Sequence, residues 1–174
     1  MSRPENLPDE QKVLAKIFRS RKHSVGRSWR MDETYIKVKG QWKYLYLAVD
    51  REGQTVDFLL TAKRDMAAAR RFFERAIGLH DLPASITIDK SGANTAAVLS
   101  IIADTSADIQ MRQSKYLNNM IEQDHRAIKR ITRPMMGLKN FHCAQAIIAG
   151  IETMHMIHKG QMMPASKGQT LSKV

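Results

Sequence analysis

Cysteine is almost missing from this chain: its 174 residues include one, Cys143. A single thiol cannot close an internal disulfide, and no ordered set of zinc ligands surrounds His142 and Cys143. Neither a disulfide framework nor a zinc module is expected. The thiol is expected to be buried on the last helix, in a reducing cytoplasm. No apolar run approaches the ~20 residues of a membrane span. No apolar segment follows the N-terminal charges, so no membrane partner and no secretory signal are expected. A Gly-rich phosphate loop of the Walker type is lacking, which leaves ATP-driven action without support. Fixed-period repeats and low-complexity tracts are also absent. Acidic residues are scarce against the cations: Asp and Glu number 17 and Lys and Arg 28, for a net charge of +11. What is there is a hydrophobic fraction of 43 %, too high for a disordered chain and enough for one domain with a core. A globular domain this basic meets nucleic acid or an anionic membrane surface.

Residues 1–28 read as a separate basic segment. Pro8-Asp9-Glu10 is a helix start, and Val13, Leu14, Ile17 and Phe18 can share one apolar face. Arg19-Ser20-Arg21-Lys22-His23 then makes a basic linker. From Trp29 the period becomes two. Trp29–Lys39, Trp42–Val49 and Gln54–Thr61 read as strands joined by short turns, an antiparallel meander. Asp65 is placed to cap a helix that runs to Ile77 and closes at Gly78, with Met66, Ala69, Phe73 and Ile77 inward. Ser85–Asp89 reads as a strand, Thr95–Ala103 as a helix and Asp108–Met111 as a brief strand. Tyr116–Arg130 and Asn140–Lys159 read as helices, the latter capped by Asn140 and ended by Gly160. Residues 161–174 read as a flexible tail. A meander followed by strand–helix–strand units gives an α/β domain over 29–160. Its mixed five-stranded sheet combines the antiparallel meander with parallel strands and carries helices on both faces. That order resembles the ribonuclease H-like fold, which implies that Asp32 and Asp89 are neighbours.

Three carboxylates stand out. Asp32 lies within an apolar, β-branched strand, where Asp is disfavoured. Asp89 closes an apolar strand, at the end where open sheets place ligands. Glu122 shares a helical face with Asn119, Arg126, Lys129 and Arg133. Carboxylates converging in a basic protein call for a cation: two of them about 4 Å apart repel by roughly 4 kcal/mol at an effective dielectric of about 20. A pair of divalent ions removes that penalty and equips the site for phosphate-ester chemistry. Glu33 is expected on the face opposite Asp32, and Asp124 sits roughly 200° around the helix from Glu122. Asp50 and Asp57 fall at strand ends or turns.

Several stretches in order carry a family likeness: Trp29-Arg30-Met31-Asp32-Glu33-Thr34-Tyr35-Ile36-Lys37-Val38-Lys39-Gly40, Trp42 to Asp50, Gly53 to Phe58, and Lys115-Tyr116-Leu117-Asn118-Asn119-Met120-Ile121-Glu122-Gln123-Asp124-His125. Over about Trp29 to Gly160 the chain resembles the catalytic, integrase-like domain of bacterial insertion-sequence transposases of the IS-six group. The resemblance implies an acidic triad, Asp32, Asp89 and Glu122, that holds two Mg²⁺ or Mn²⁺ ions. It implies metal-dependent DNA strand cleavage and strand transfer, transposon ends and target DNA as partners, a homo-oligomer on DNA, and a bacterial cytoplasm beside the nucleoid. Lys115, Asn119, Arg126, Lys129, Arg130 and Arg133 are the expected DNA contacts, made to phosphates rather than bases. Members of the family carry an N-terminal helix-turn-helix. Residues 1–28 offer one helix, so a remnant with poor discrimination of transposon ends is expected. The Asp89–Glu122 interval, 122 − 89 = 33 positions, is shorter than the family pattern.

Two other readings compete. Glu122-x-x-His125 and Glu152-x-x-His155 have the spacing of di-iron bundles, but Glu74 is the only attractive further Glu and the meander does not fit a bundle. Surface spacing is the simpler expectation for His155 and His158. A non-catalytic, basic DNA-binding remnant of a transposase shares the charge and needs no triad.

Overall fold

A computed structural model of the chain describes residues 20–114, 119–135 and 137–163. The helix expected near Pro8, residues 164–174 of the expected tail and the start of the helix expected at Tyr116 lie outside the described residues; the first residues of that tail, 161–163, are tied to the domain through Gln161 and Met162. The described elements are β1 (Ser28–Val38), β2 (Gln41–Asp50), β3 (Thr55–Thr61), α1 (Met66–His80), β4 (Ser85–Ile88), α2 (Gly92–Thr105), β5 (Gln110–Gln113), α3 (Asn119–Thr132) and α4 (Phe141–His158).

The strands lie in the order β3-β2-β1-β4-β5. The turn at Lys39-Gly40 takes positive φ at both residues and folds β2 back on β1, in register from Trp29↔Asp50 to Val38↔Gln41. β4 and β5 arrive through helical crossovers and so add in parallel. β4 pairs with β1 over Ser28–Arg30, and past Arg30 the two strands part.

Alternation sends the strand residues to two cores. On one face Trp29, Met31, Tyr46, Ala48, Ile86 and Ile88 pack against α1 and α2 through Phe72, Phe73, Ala97 and Val98. On the other, Ile36, Val38, Leu45 and Leu60 meet Ile128 of α3 and Ala144 and Ile148 of α4. Leu47 and Val49 meet Ile121 of α3. The result is a sheet with helices on both faces, as expected.

Four local expectations need correction. α1 passes through Gly78 to His80. Its end is set beyond, where Asp81 turns to φ 64° and Pro83 restricts the residue before it. Met66 is exposed, because the buried stripe is Ala68, Ala69, Phe72, Phe73 and Ala76. Cys143 is exposed as well: the buried stripe of α4 is Ala144, Ile148, Glu152 and Met156, and Cys143 falls off it. Glu152 is fully buried and His155 half-buried, so the Glu152–His155 spacing is not a surface accident.

Candidate active site

The register predicts where the first two carboxylates meet. Arg30 pairs with Thr87, so two further steps set Asp32 beside Asp89, where β1 and β4 diverge. In this cleft single carboxyl oxygens of Asp32, Glu33 and Asp89 all lie within 4.8 Å of one another. Glu33 is the surprise. Alternation does put it opposite Tyr46, on the α1–α2 side of the sheet. The missing strand pairing beside it nevertheless leaves its long side chain room to join Asp32 and Asp89, so it belongs to the cluster.

Each carboxylate is held differently. Asp32 Oδ1 accepts a hydrogen bond from the Glu33 backbone N–H (2.9 Å). Asp89 Oδ1 accepts from the Ser91 backbone N–H (3.1 Å) and from Asn94 Nδ2 (3.2 Å). Asn94 Nδ2 also donates to Glu33 Oε2 (2.7 Å). Arg64 forms an ion pair with Glu33, lies 4.0 Å from Asp89 Oδ2 and donates to the Tyr35 hydroxyl (3.3 Å). Arg64 therefore neutralises Glu33, with the Asn94 hydrogen bond beside it, while Asp32 has no cation of its own among these contacts. Burial, reinforced by the charges of Glu33, Asp89 and Glu122, pushes the Asp32 carboxyl up to about 6. The backbone hydrogen bond opposes that rise without cancelling it.

Glu122 stands apart. It lies in the first turn of α3, exposed, with its carboxylate 3.4 Å from Arg126. It is outside the three-carboxylate cluster, yet near enough for its charge to act on Asp32. Asn119, Arg126, Arg130 and Arg133 are exposed around it and Lys129 is half-buried. Lys115 lies outside the described residues. The remaining acids have structural tasks. Asp50 accepts from the backbone N–H groups of Gly26, Glu52 and Gln54. Asp57 grips Arg75 through two bonds. Asp124 is buried against Lys159 (2.6 Å). The Glu-x-x-His reading fails on geometry. Glu122 points to solvent while His125 is buried, and no second group of acids and histidines converges among the described residues.

Sequence reasoning missed Glu33, Arg64 and Asn94. A signal existed only for Glu33, adjacent to Asp32. Arg64 sits just before the α1 cap and Asn94 in the first turn of α2, and neither is marked by pattern.

The fold is that of the retroviral integrase catalytic core, the ribonuclease H-like class. The integrase core of HTLV-2, solved with magnesium, superposes with a TM-score of 0.54 over 64 % of this chain and 73 % of that one, at 21 % identity. The simian T-cell lymphotropic virus intasome structure gives 0.59 over 88 % of this chain and 64 % of that one, at 18 % identity. A family model described as a DDE domain matches residues 26–161, and the chain belongs to that DDE transposase domain family. It is 37 % identical over 149 residues to the Staphylococcus aureus transposase for insertion sequence-like element IS431mec. The S. aureus transposase for IS257 in transposon Tn4003 matches equally. In both cases the match covers 84 % of this chain and 65 % of the relative, so the chain spans about two-thirds of their length. No described helix is long and apolar enough to cross a membrane.

Proposed function

We propose that residues 29–160 form the catalytic domain of an insertion-sequence transposase that cuts DNA strands at transposon ends and joins them to target DNA. The observation that carries this reading is the cleft in which Asp32, Glu33 and Asp89 crowd together in a chain of net charge +11. The donor set fits a divalent cation. Carboxylates are hard oxygen ligands, and burial, reinforced by the neighbouring carboxylates, drives Asp32 up to about 6. Asp32 and Asp89 would hold two Mg²⁺ or Mn²⁺ ions, with Glu122 completing the set. The pair with Arg126 that now engages Glu122 is an exposed i,i+4 contact of little energy. Two divalent ions bound there supply Lewis-acid activation of the attacking oxygen and charge stabilisation of the leaving one. The chain's own residues do the rest. Arg64 and Asn94 are positioning residues that fix Glu33 and Asp89. Arg126, Lys129, Arg130 and Arg133 hold DNA phosphates beside the cleft and so orient the strand. A homo-oligomer on DNA fits a reaction that handles two ends and a target.

The test is strand cleavage by the chain with Mg²⁺ or Mn²⁺, on intact and pre-nicked duplexes carrying a transposon end. Metal-dependent products are expected, and Asp32→Asn or Asp89→Asn should remove them while DNA binding persists. The position of Glu122 outside the cluster favours the second reading, a non-catalytic DNA-binding remnant. Binding without cleavage in either metal would establish that reading instead.

A further inference from the structure

The edge of β1 beyond Arg30 has two occupied ends. β4 covers it up to Arg30, and Leu138 bridges it again at Val38. The acidic cluster lies at the start of the stretch that no described strand pairs with. At its other end is a groove of about 700 Å³ whose walls include Tyr35, Lys37, Trp42, Tyr44, Lys129 and Arg133. Tyr35 stands three residues from Asp32, about 10 Å along a strand.

The lining has two chemical characters. Three aromatic rings cluster edge to face: Tyr35 is 6.4 Å from Trp42 at 79° and 5.4 Å from Tyr44 at 62°. Two of the rings are nonetheless open to solvent, Tyr35 at 45 % and Trp42 at 60 % exposure. Around the rings stand cations. Lys37 lies over the Trp42 ring at 5.6 Å; Lys129 comes from α3, the helix that also carries Glu122, and Arg133 from the turn just past it. A protein-binding patch concentrates aromatics but depletes its centre of charge. Exposed aromatic rings bordered by Lys and Arg instead suit an unpaired nucleic-acid strand, whose bases stack while its phosphates meet cations. Paired bases inside a duplex offer no face to such rings.

We infer that the Tyr35–Trp42–Tyr44 groove is a stacking subsite for an unpaired DNA base next to the cleavage site. The inference rests on the DNA-processing function proposed above and adds the strand form recognised. Trp42 is the principal platform. Lys37, Lys129 and Arg133 hold the adjoining phosphates.

The chain reports on this site directly, because it has two tryptophans and the other, Trp29, is 1 % exposed. Titration with a short single-stranded oligonucleotide at fixed salt should quench Trp42 emission as fluorescence anisotropy of the labelled strand rises. Trp42→Phe should lose the quench and keep affinity within about twofold, since Phe still stacks. Trp42→Ala should weaken single-strand binding about tenfold and leave blunt-duplex binding unchanged. An unmoved emission during single-strand binding overturns the inference. So does an equal loss for single strand and duplex, or a change of oligomeric mass in Trp42→Ala, which would assign the groove to a second copy of the chain. Failure of the unaltered chain to bind either DNA form would overturn the functional reading along with the subsite. Duplex binding without single-strand preference overturns the subsite alone.

Discussion

Asp32 is a charged group in a place that disfavours charge. It sits on a strand, partly buried, with two other carboxylates within 4.8 Å, and its pKa rises from 3.8 to about 6 chiefly through burial. A carboxyl whose folded-state pKa is raised stabilises the fold only while protonated. Its contribution is complete below about 3.8 and is lost as pH rises through about 6. In chelator at pH 7.5 the ionised Asp32 therefore strains the fold. Asp32→Asn should raise Tm there, by about 2–4 °C for each kcal/mol relieved in a chain of this size. Millimolar Mg²⁺ or Mn²⁺ should raise the Tm of the unaltered protein, and the same substitution should abolish that rise. Glu33→Gln should keep that rise, because Arg64 already neutralises Glu33 and Asn94 is hydrogen-bonded to it. Thermal melts with and without metal check all three outcomes. A metal response that survives Asp32→Asn would remove Asp32 from the ligand set.

At the scale of the element, α3 divides its circumference between two jobs. Ile121, Asp124, His125 and Ile128 are buried, and burial holds His125 down at about 4, neutral inside the fold. Arg126 and Arg130 face solvent, and the last turn is basic, where cations suit the helix dipole. Replacing Arg126, Arg130 or Arg133 by Gln should weaken binding alike across DNA sequences and lower the slope of log K against log salt by about 1 each. Filter or anisotropy binding over a salt series measures it, and a loss confined to one sequence would mean base readout instead. This division was legible in the sequence, since a 3.6-residue period separates Ile121 and Ile128 from the cations. The strands were legible for the same reason, through alternation. Their ends were not, because β5 is shaped by pairing with β4 rather than by its own residues. Asp32 and Asp89 could be read as partners because strand order and register bring them together. Glu33 could not, because alternation fixes the face of a side chain and says nothing of where a neighbouring strand stops. Arg64 and Asn94 enter the site through crossings of β1 with the segments before α1 and within α2, which no local pattern encodes.

The molecule as a whole is fastened behind the site by a buried polar network. Lys159, just past α4, donates to Asp124 on α3 (2.6 Å) and to the Gly53 carbonyl (2.9 Å) at the β2–β3 turn. Gly53 itself takes φ 82°, and a side chain there would strike Met120 of α3 at 2.9 Å. Gln161 completes the fastening by exchanging two hydrogen bonds with the Thr55 backbone. Lys159→Met should strand the Asp124 charge and cost about 3 kcal/mol, most of it recovered in Asp124→Leu/Lys159→Met, as urea denaturation will show. Glu152 of α4 lies in the same interior, fully buried, with neither carboxylate oxygen hydrogen-bonded among the described residues. Burial first, then the charge of Asp124, pushes its pKa from 4.5 up to about 8, against the pull of Lys159 and Lys22. Its proton is thus retained in the fold and lost on unfolding across that interval. The resulting stability is complete below about 4.5 and drains away as pH rises through about 8. Asp32 finishes its own change near 6. His80, His125 and His155 are all lowered from 6.5, so above that pH they oppose the Glu152 loss only through the protons the unfolded imidazoles still carry, which are gone by about pH 7.5. Between pH 6.5 and 8, in chelator, Glu152 should therefore dominate. A single proton changes stability by up to about 1.4 kcal/mol per pH unit, so Tm should fall by roughly 5 °C over that range. In Glu152→Met, which fills the same space without a charge, the curve should be flat and lie higher at pH 8. Equal slopes in the two proteins would show that Glu152 ionises freely in the fold, through water that reaches the interior between α3 and α4.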